Sequence, residues 1–257
     1  MKVTVLVENT ACRENVTAQH GLSLYVETNG RRILFDMGQD DSFARNAALL
    51  GIDLAGVDFA VLSHGHYDHG GGLKTFLQIN KTAPVYVHQG AFAEYYNGTQ
   101  KYIGLDSSFQ NHSRLIVTQG VTVLPDGMKL IDCNDLAWPI NSWGLNRKDA
   151  DVFTADDFCH EQYLEICEGQ KRYLISGCSH KGIVNIVEYF QPDVLIGGFH
   201  LSKQEDETQL QKIAETLHNG HTVYYTGHCT GDRQFRFLKG IMGDRLQSLS
   251  TGKIIEA

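Results

Sequence analysis

The hexapeptide His64-Gly65-His66-Tyr67-Asp68-His69 sets three imidazoles and one carboxylate within six residues. Neutral imidazole and carboxylate are the ligands that suit Zn²⁺, Fe and Mn²⁺, so this spacing points to metal chemistry. Gly65 frees the backbone between two imidazoles, yet four ligands from one short loop cannot comfortably close one tetrahedral site. Alternate residues point different ways: His64 and His66 can serve one ion, Asp68 and His69 another. Each half-site then needs partners from elsewhere. The candidates are Cys178 and His180, His200, and His228, each just after an apolar run with glycine nearby. His200 reads equally as a ligand or as an acid–base group facing substrate. Cys178 reads as a bridging thiolate, a nucleophile or a small buried residue. One of His160 and Glu161 is a candidate to complete the first half-site. The remaining histidines, at positions 20, 88, 112, 218 and 221, read as structural or exposed.

The elements that must position these groups are legible from periodicity. Lys2–Glu8 and Leu22–Thr28 read as strands, and Asn29-Gly30 is the pair that a type I′ hairpin requires before the returning strand Arg31–Asp36. A helix over about Ser42–Leu50 ends at Gly51. Phe59–Ser63 is a continuous apolar run, the mark of a strand buried on both faces, and it feeds directly into the imidazole-rich segment. Leu73–Ile79 reads as helix and Val85–His88 as strand. The Gly70–Gly72 run before that helix could hold an anion on its N–H groups or simply allow close backbone packing. Residues 97–159 form a loop-rich insertion with hairpin-like pieces at Arg114–Thr118, Val121–Leu124 and Met128–Ile131. Order returns with strands Tyr163–Cys167, Arg172–Ser176, Val194–Gly197 and Thr222–Thr226, and helices near Ile183–Phe190 and Glu205–Leu217. The pattern is α/β: two packed sheets with helices outside, and ligands at the carboxyl ends of strands.

Composition narrows the function. A net charge of −8 disfavours nucleic acid, whose phosphates call for a basic face. Six cysteines without a CxxC pair argue against a disulfide scaffold or a zinc ribbon and fit a reducing, cytoplasmic setting. No apolar stretch approaches a membrane span, and the N-terminal apolar run is too short for a signal peptide.

The segments SHGHYDHGGGL, HEQYLEI, LISGCSHKGIVNI, LIGGFHL and YTGHCTG, with Asp36 in LFDMGQ, resemble the metallo-β-lactamase-fold hydrolase superfamily. Within it they resemble the branch named for dihydropterin-methyl-ribofuranosylaminobenzene-phosphate synthase. The resemblance spans nearly the whole chain outside 97–159. It implies a four-layer αββα sandwich, one such domain over 1–257, and a dinuclear site along one edge. By motif, His64 and His66 would lie on the first ion, and Asp68, His69 and His228 on the second. Cys178 stands where the superfamily usually has a bridging Asp, and His160-Glu161 where the first ion's third His is expected; His180 is the other candidate for that vacancy. The implied cofactors are two divalent metals, zinc first, with iron or manganese as alternatives. Asp68 would orient the nucleophile or take its proton, His200 would protonate the leaving group, and Asp36 would fix an imidazole tautomer. The expected activity is hydrolysis, or a related transfer, on a small phosphorylated or heterocyclic metabolite such as a pterin-like compound. The alternatives are a diiron-type redox enzyme acting on O₂ or NO, and a non-catalytic metal-stabilised binding protein. A homo-oligomer stays open.

Overall fold

The computed structural model describes residues 1–256. Its first half starts with three antiparallel strands, β1 (Lys2–Val7), β2 (Ser23–Thr28) and β3 (Arg31–Phe35). Asn29 and Gly30 take φ of 49° and 74° in the β2–β3 turn, as a type I′ hairpin demands. After α1 (Ser42–Leu49) the chain turns parallel with β4 (Phe59–Val61), the single turn α2 (Tyr67–Gly70), α3 (Leu73–Ile79) and β5 (Val85–His88). There follow β6 (Glu94–Asn97), β7 (Lys101–Tyr102), β8 (Leu115–Thr118), β9 (Val121–Val123), β10 (Lys129–Ile131), β11 (Leu145–Asp149) and β12 (Val152–Ala155). The second half runs β13 (Tyr163–Glu168), β14 (Lys171–Ile175), α4 (Ile183–Phe190), β15 (Val194–Ile196), α5 (Glu207–Asn219) and β16 (Val223–Thr226). It closes with α6 (Asp232–Met242), β17 (Leu246–Ser248) and β18 (Ile254–Glu256).

Two seven-stranded sheets result, in the orders β18-β1-β2-β3-β4-β5-β8 and β17-β16-β15-β14-β13-β10-β9. Their period-2 alternation sorts side chains into layers. Leu24, Val26, Ile33, Phe35 and Val61 of the first sheet meet Leu164, Ile166, Ile175 and Ile196 of the second in one buried core. The opposite faces carry Leu34 and Ala60 onto Phe43 and Phe76 of α1 and α3, and Leu174 and Tyr224 onto Ile186, Leu210 and Leu238 of α4, α5 and α6. This is the expected αββα sandwich. Each fully buried aliphatic side chain in the central layer contributes ~1.5–3 kcal/mol, so a charge at Val61 or Ile175 would strike the seam between the sheets. No helix among the described residues is long and apolar enough to cross a membrane.

Residues 97–159 are more regular than their sequence suggests. Strands β8, β9 and β10 extend the edges of the two large sheets, and β7, β11 and β12 form a separate four-stranded sheet with β6. Edge strands with one solvated face lack the apolar runs that announce buried ones, and several here are only two to four residues long. Helix α6 also escapes a sequence reading, because Gly240 and three basic residues interrupt its apolar stripe.

Candidate metal centre

Strands β3, β4, β14, β15 and β16 pair in parallel within their sheets, and their carboxyl ends converge on one edge. Asp36 follows β3, Ser63 and His64 follow β4, Cys178 follows β14, His200 follows β15 and His228 follows β16. This is the place where open α/β sheets gather ligands.

The bend after β4 has room only for glycine at position 65, where a Cβ would lie 2.3 Å from the Ala91 carbonyl oxygen. The next turn is α2, which lifts Asp68 and His69 onto the same edge. The Gly70–Gly72 run serves close packing: Cβ atoms on Gly71 and Gly72 would meet the carbonyls of Gln39 and Met37 at 2.2 and 2.4 Å.

A buried hydrogen-bond relay sets the imidazole tautomers. Asp36 accepts from the Ser63 backbone N–H and hydroxyl, each at 2.7 Å, and from His69 Nδ1 at 2.7 Å. With its hydroxyl proton committed to Asp36, Ser63 Oγ accepts from His64 Nδ1 at 2.8 Å. Asn9 Oδ1 faces His228 Nδ1 at 3.3 Å, while Glu8 accepts the His228 backbone N–H at 2.7 Å. A proton held at Nδ1 makes Nε2 the atom through which each of these rings can ligate.

The Nε2 atoms lie in close pairs. His69 Nε2 lies 3.1 Å from His228 Nε2, and His64 Nε2 lies 3.3 Å from His180 Nε2. Cys178 Sγ, 3.2 Å from His69 Nε2, belongs to both resulting groups: His69, Cys178 and His228, and His64, Cys178 and His180, with all donor atoms of a group within 4.8 Å. Asp68 Oδ2 adjoins the first, 3.4 Å from His228 Nε2 and 4.0 Å from His69 Nε2. Tetrahedral zinc with bonds of about 2.0 Å sets its nitrogen donors about 3.3 Å apart, which these spacings approach. His66 Nε2, His180 Nδ1 and His200 Nδ1 are buried with no hydrogen-bond partner among the described residues. Three orphaned buried nitrogens beside two close Nε2 pairs, with Cys178 Sγ in reach of both, are costly unless a cation satisfies them, so the donor set fits divalent metal.

His160 and Glu161 are both engaged in hydrogen bonds. His160 Nδ1 accepts the Gly65 N–H at 2.9 Å, so its proton sits on Nε2 and goes to Asp156 at 3.2 Å. Glu161 accepts the backbone N–H groups of His180 and Lys181 and the Tyr163 hydroxyl, which fixes the loop carrying Cys178 and His180. Asp156 lies 3.8 Å from His66 Nε2 and forms a third group with His66 and His160. Phe158 stacks on His180 at 4.1 Å between centroids.

Sequence reasoning missed Asp156, His20 and Cys229. His20, read as structural or exposed, lies with Nε2 3.2 Å from Asp68 Oδ2, and Cys229 groups with Cys178 and His200. Asp156 sits in an irregular segment where nothing marks it out, and no pattern ties His20 to a residue 48 positions on.

Electrostatics follow from burial and crowding. Burial drives His64 and His180 well below the usual imidazole range, and the surrounding imidazoles add to the effect. His160 is pushed down to about 4, chiefly by burial. Burial opposes a charge on His69 too, but Asp36 and Asp68 outweigh it and raise the ring to about 9. Burial also works against the Asp68 and Asp156 carboxylates, yet adjacent imidazoles hold both below the usual carboxylate range. The Cys178 thiol is pushed well up by burial, with Cys229 adding to it.

Above the donors opens a cleft of about 530 Å³ whose walls carry Tyr67, Lys101, Lys203 and the rim histidine His20. Lys203 Nζ is anchored to the Trp143 carbonyl at 2.7 Å, and Lys101 Nζ lies 5.4 Å from the centre of the Tyr67 ring.

The chain matches the family described as the Metallo-beta-lactamase superfamily over residues 16–228. An uncharacterized protein of Methanocaldococcus jannaschii is 32% identical over 239 residues, 89% of this chain and 90% of that protein. From the same organism, 7,8-dihydropterin-6-methyl-4-(β-D-ribofuranosyl)-aminobenzene-5'-phosphate synthase is 28% identical over 265 residues, 93% of this chain and 90% of the synthase. The crystal structure of a metal-dependent hydrolase of the beta-lactamase superfamily superposes with a TM-score of 0.82 at 27% identity, covering 100% of this chain and 99% of that one.

Proposed function

This chain belongs to the metallo-beta-lactamase superfamily, and from that premise we propose that it is a dinuclear metal-dependent hydrolase, or a related transferase, acting on a small phosphorylated or heterocyclic metabolite. The observation that carries the reading is the pair of opposed Nε2 contacts, His64–His180 and His69–His228, with Cys178 Sγ in reach of both. His64, His66 and His180 would hold one ion; Asp68, His69 and His228 would hold the other; Cys178 would sit between them. Zinc suits this mixture of nitrogen, oxygen and sulfur donors, with iron or manganese as alternatives. Two such ions, when bound, supply Lewis acidity and a water acidified to near neutral pH.

The chain's own residues do the rest. Asp36 and Ser63 hold His69 and His64 in the tautomers that present Nε2. Asp68, 13% exposed at the cleft floor, orients the attacking group and takes its proton. His200, whose Nδ1 has no protein partner among the described residues, delivers a proton to the leaving group. Lys101 and Lys203 offer their ammonium groups to an anionic substrate, and Tyr67 offers a ring face. The pterin-related compound in the synthase's name is an anionic, heterocyclic molecule of the kind such a cleft would take. Six free thiols suit a reducing compartment such as the cytoplasm.

The test is metal content followed by catalysis. Protein loaded with zinc is expected to hold two ions per chain and to cleave a chromogenic phosphodiester, and His66→Ala should abolish cleavage while the far-ultraviolet dichroism stays native. Protein that retains neither zinc, iron nor manganese overturns the reading.

A further inference from the structure

We infer that His20 is a positioning residue for Asp68, an assignment that rests on Asp68 being a metal-holding carboxylate as proposed above. The segment carrying His20 is built onto Asp68 by backbone as well as side chain. Leu22 N–H donates to the Asp68 carbonyl at 3.2 Å. Gly21, between them, has φ of 137°, and a Cβ there would lie 2.4 Å from the same carbonyl oxygen, so no other residue lets the two strands of chain approach this closely. The Gln39 side-chain amide donates to the His20 carbonyl at 2.8 Å, and Gln19 N–H donates to the Glu8 carbonyl at 3.0 Å, which pins the segment from both sides.

The imidazole then has one task that geometry assigns it. His20 Nε2 lies 3.2 Å from Asp68 Oδ2, and a carboxylate only accepts, so Nε2 carries the proton. His228 Nε2 approaches the same oxygen at 3.4 Å, and the His20 and His228 rings lie 4.8 Å apart. His20 therefore braces the carboxylate from the rim of the cleft, opposite the buried His228 ring that approaches the same oxygen, and the pair sets its rotation about the Cβ–Cγ bond. Being half exposed at the rim of the cleft, the ring does this without belonging to the buried core.

The experiment compares wild type with His20→Ala and His20→Gln, the latter keeping an N–H donor. Each protein is loaded with cobalt(II), whose visible bands report ligand geometry, and is assayed on a chromogenic phosphodiester. In His20→Ala we expect an unchanged melting curve and unchanged cobalt stoichiometry, altered d–d bands, and kcat lower by about tenfold with KM within about twofold, the lower end for groups that orient a metal ligand. His20→Gln should restore the bands and most of kcat. In an Asp68→Asn background, removing His20 should cost nothing further. Cobalt bands and kcat that are unchanged in His20→Ala overturn the assignment, as does a rise in KM alone, which would make His20 a substrate contact. If wild type binds cobalt but cleaves nothing, the hydrolytic reading fails while the bands still decide the role of His20. If wild type binds no cobalt, both fall.

Discussion

Asp36 and His69 share a hydrogen bond of 2.7 Å in which neither side chain is exposed to solvent. The Asp36 oxygen that takes the His69 proton also takes the Ser63 hydroxyl, so two imidazoles, His69 and His64, depend on one carboxylate for their tautomers. Asp36→Asn keeps the volume but puts an amide where an acceptor is needed. We expect zinc affinity to fall ~10–100-fold, as when groups behind a metal ligand are changed. Competition titration with a chelator of known affinity checks this, and an unchanged affinity would show that the relay does not set the tautomers.

The pH dependence of metal uptake has a definite sign. His69, raised to about 9, is protonated on Nε2 at neutral pH in the metal-free protein, and the Cys178 thiol keeps its proton beyond that range. Both protons must leave for these atoms to ligate. Calorimetry in buffers of different ionisation enthalpy should give about two protons released per ion at this half-site near pH 7.5, and about one above the His69 value.

Metal-free stability should vary at both ends of the pH range. A ring raised from 6.5 to about 9, as His69 is, stabilises fully below 6.5, and its contribution disappears as pH climbs through 9. His160, lowered to about 4, acts in the opposite sense: stability is lost as pH falls from 6.5 towards 4. Urea midpoints of the metal-free protein between pH 4 and pH 10 should therefore peak near neutrality; a midpoint that climbs steadily above pH 8 contradicts the His69 assignment.

Gly65 has no room to be replaced. Gly65→Ala would drive a methyl group into the Ala91 carbonyl and the Tyr95 ring, and overpacking of this kind costs ~1–3 kcal/mol. The Gly65 N–H to His160 bond should be strained as well. A lowered urea midpoint together with weakened zinc binding is the expected result, whereas Gly240→Ala, inside α6 with open space around it, should leave zinc binding alone.

The cleft's two ammonium groups make a simple electrostatic test. Lys203→Glu should raise KM for an anionic phosphodiester about tenfold or more, with a smaller effect on a neutral ester, since near-contact charge pairs at a surface are worth ~1–4 kcal/mol before screening. The effect should shrink as salt is raised. Equal effects on charged and neutral esters would remove Lys203 from substrate binding.

Much of this was legible in one dimension. The alternation in Leu22–Thr28, the apolar run Phe59–Ser63 and the hairpin pair Asn29-Gly30 with its returning strand Arg31–Asp36 predict strands because side-chain period and backbone φ are local properties. The imidazole-rich bend announces metal chemistry for the same reason: His64, His66, Asp68 and His69 are brought together by chain continuity alone. Strand ends followed by Cys178, His180, His200 and His228 point to the same edge once a parallel sheet is inferred.

Which lone pair faces which could not be read that way. His160 and Asp156 are four residues apart, yet only the position of the Gly65 N–H shows that His160 spends both nitrogens on hydrogen bonds. Glu161 stands beside His160 in sequence and serves a different loop, and His20 reaches Asp68 only because the segment before β2 folds across the bend. Sequence spacing fixes which groups a segment carries, since covalent geometry is short-ranged. The direction of each nitrogen and carboxylate oxygen is set by hydrogen bonds between segments up to 220 residues apart, such as His228 N–H to Glu8, and those exist only after the two sheets have packed.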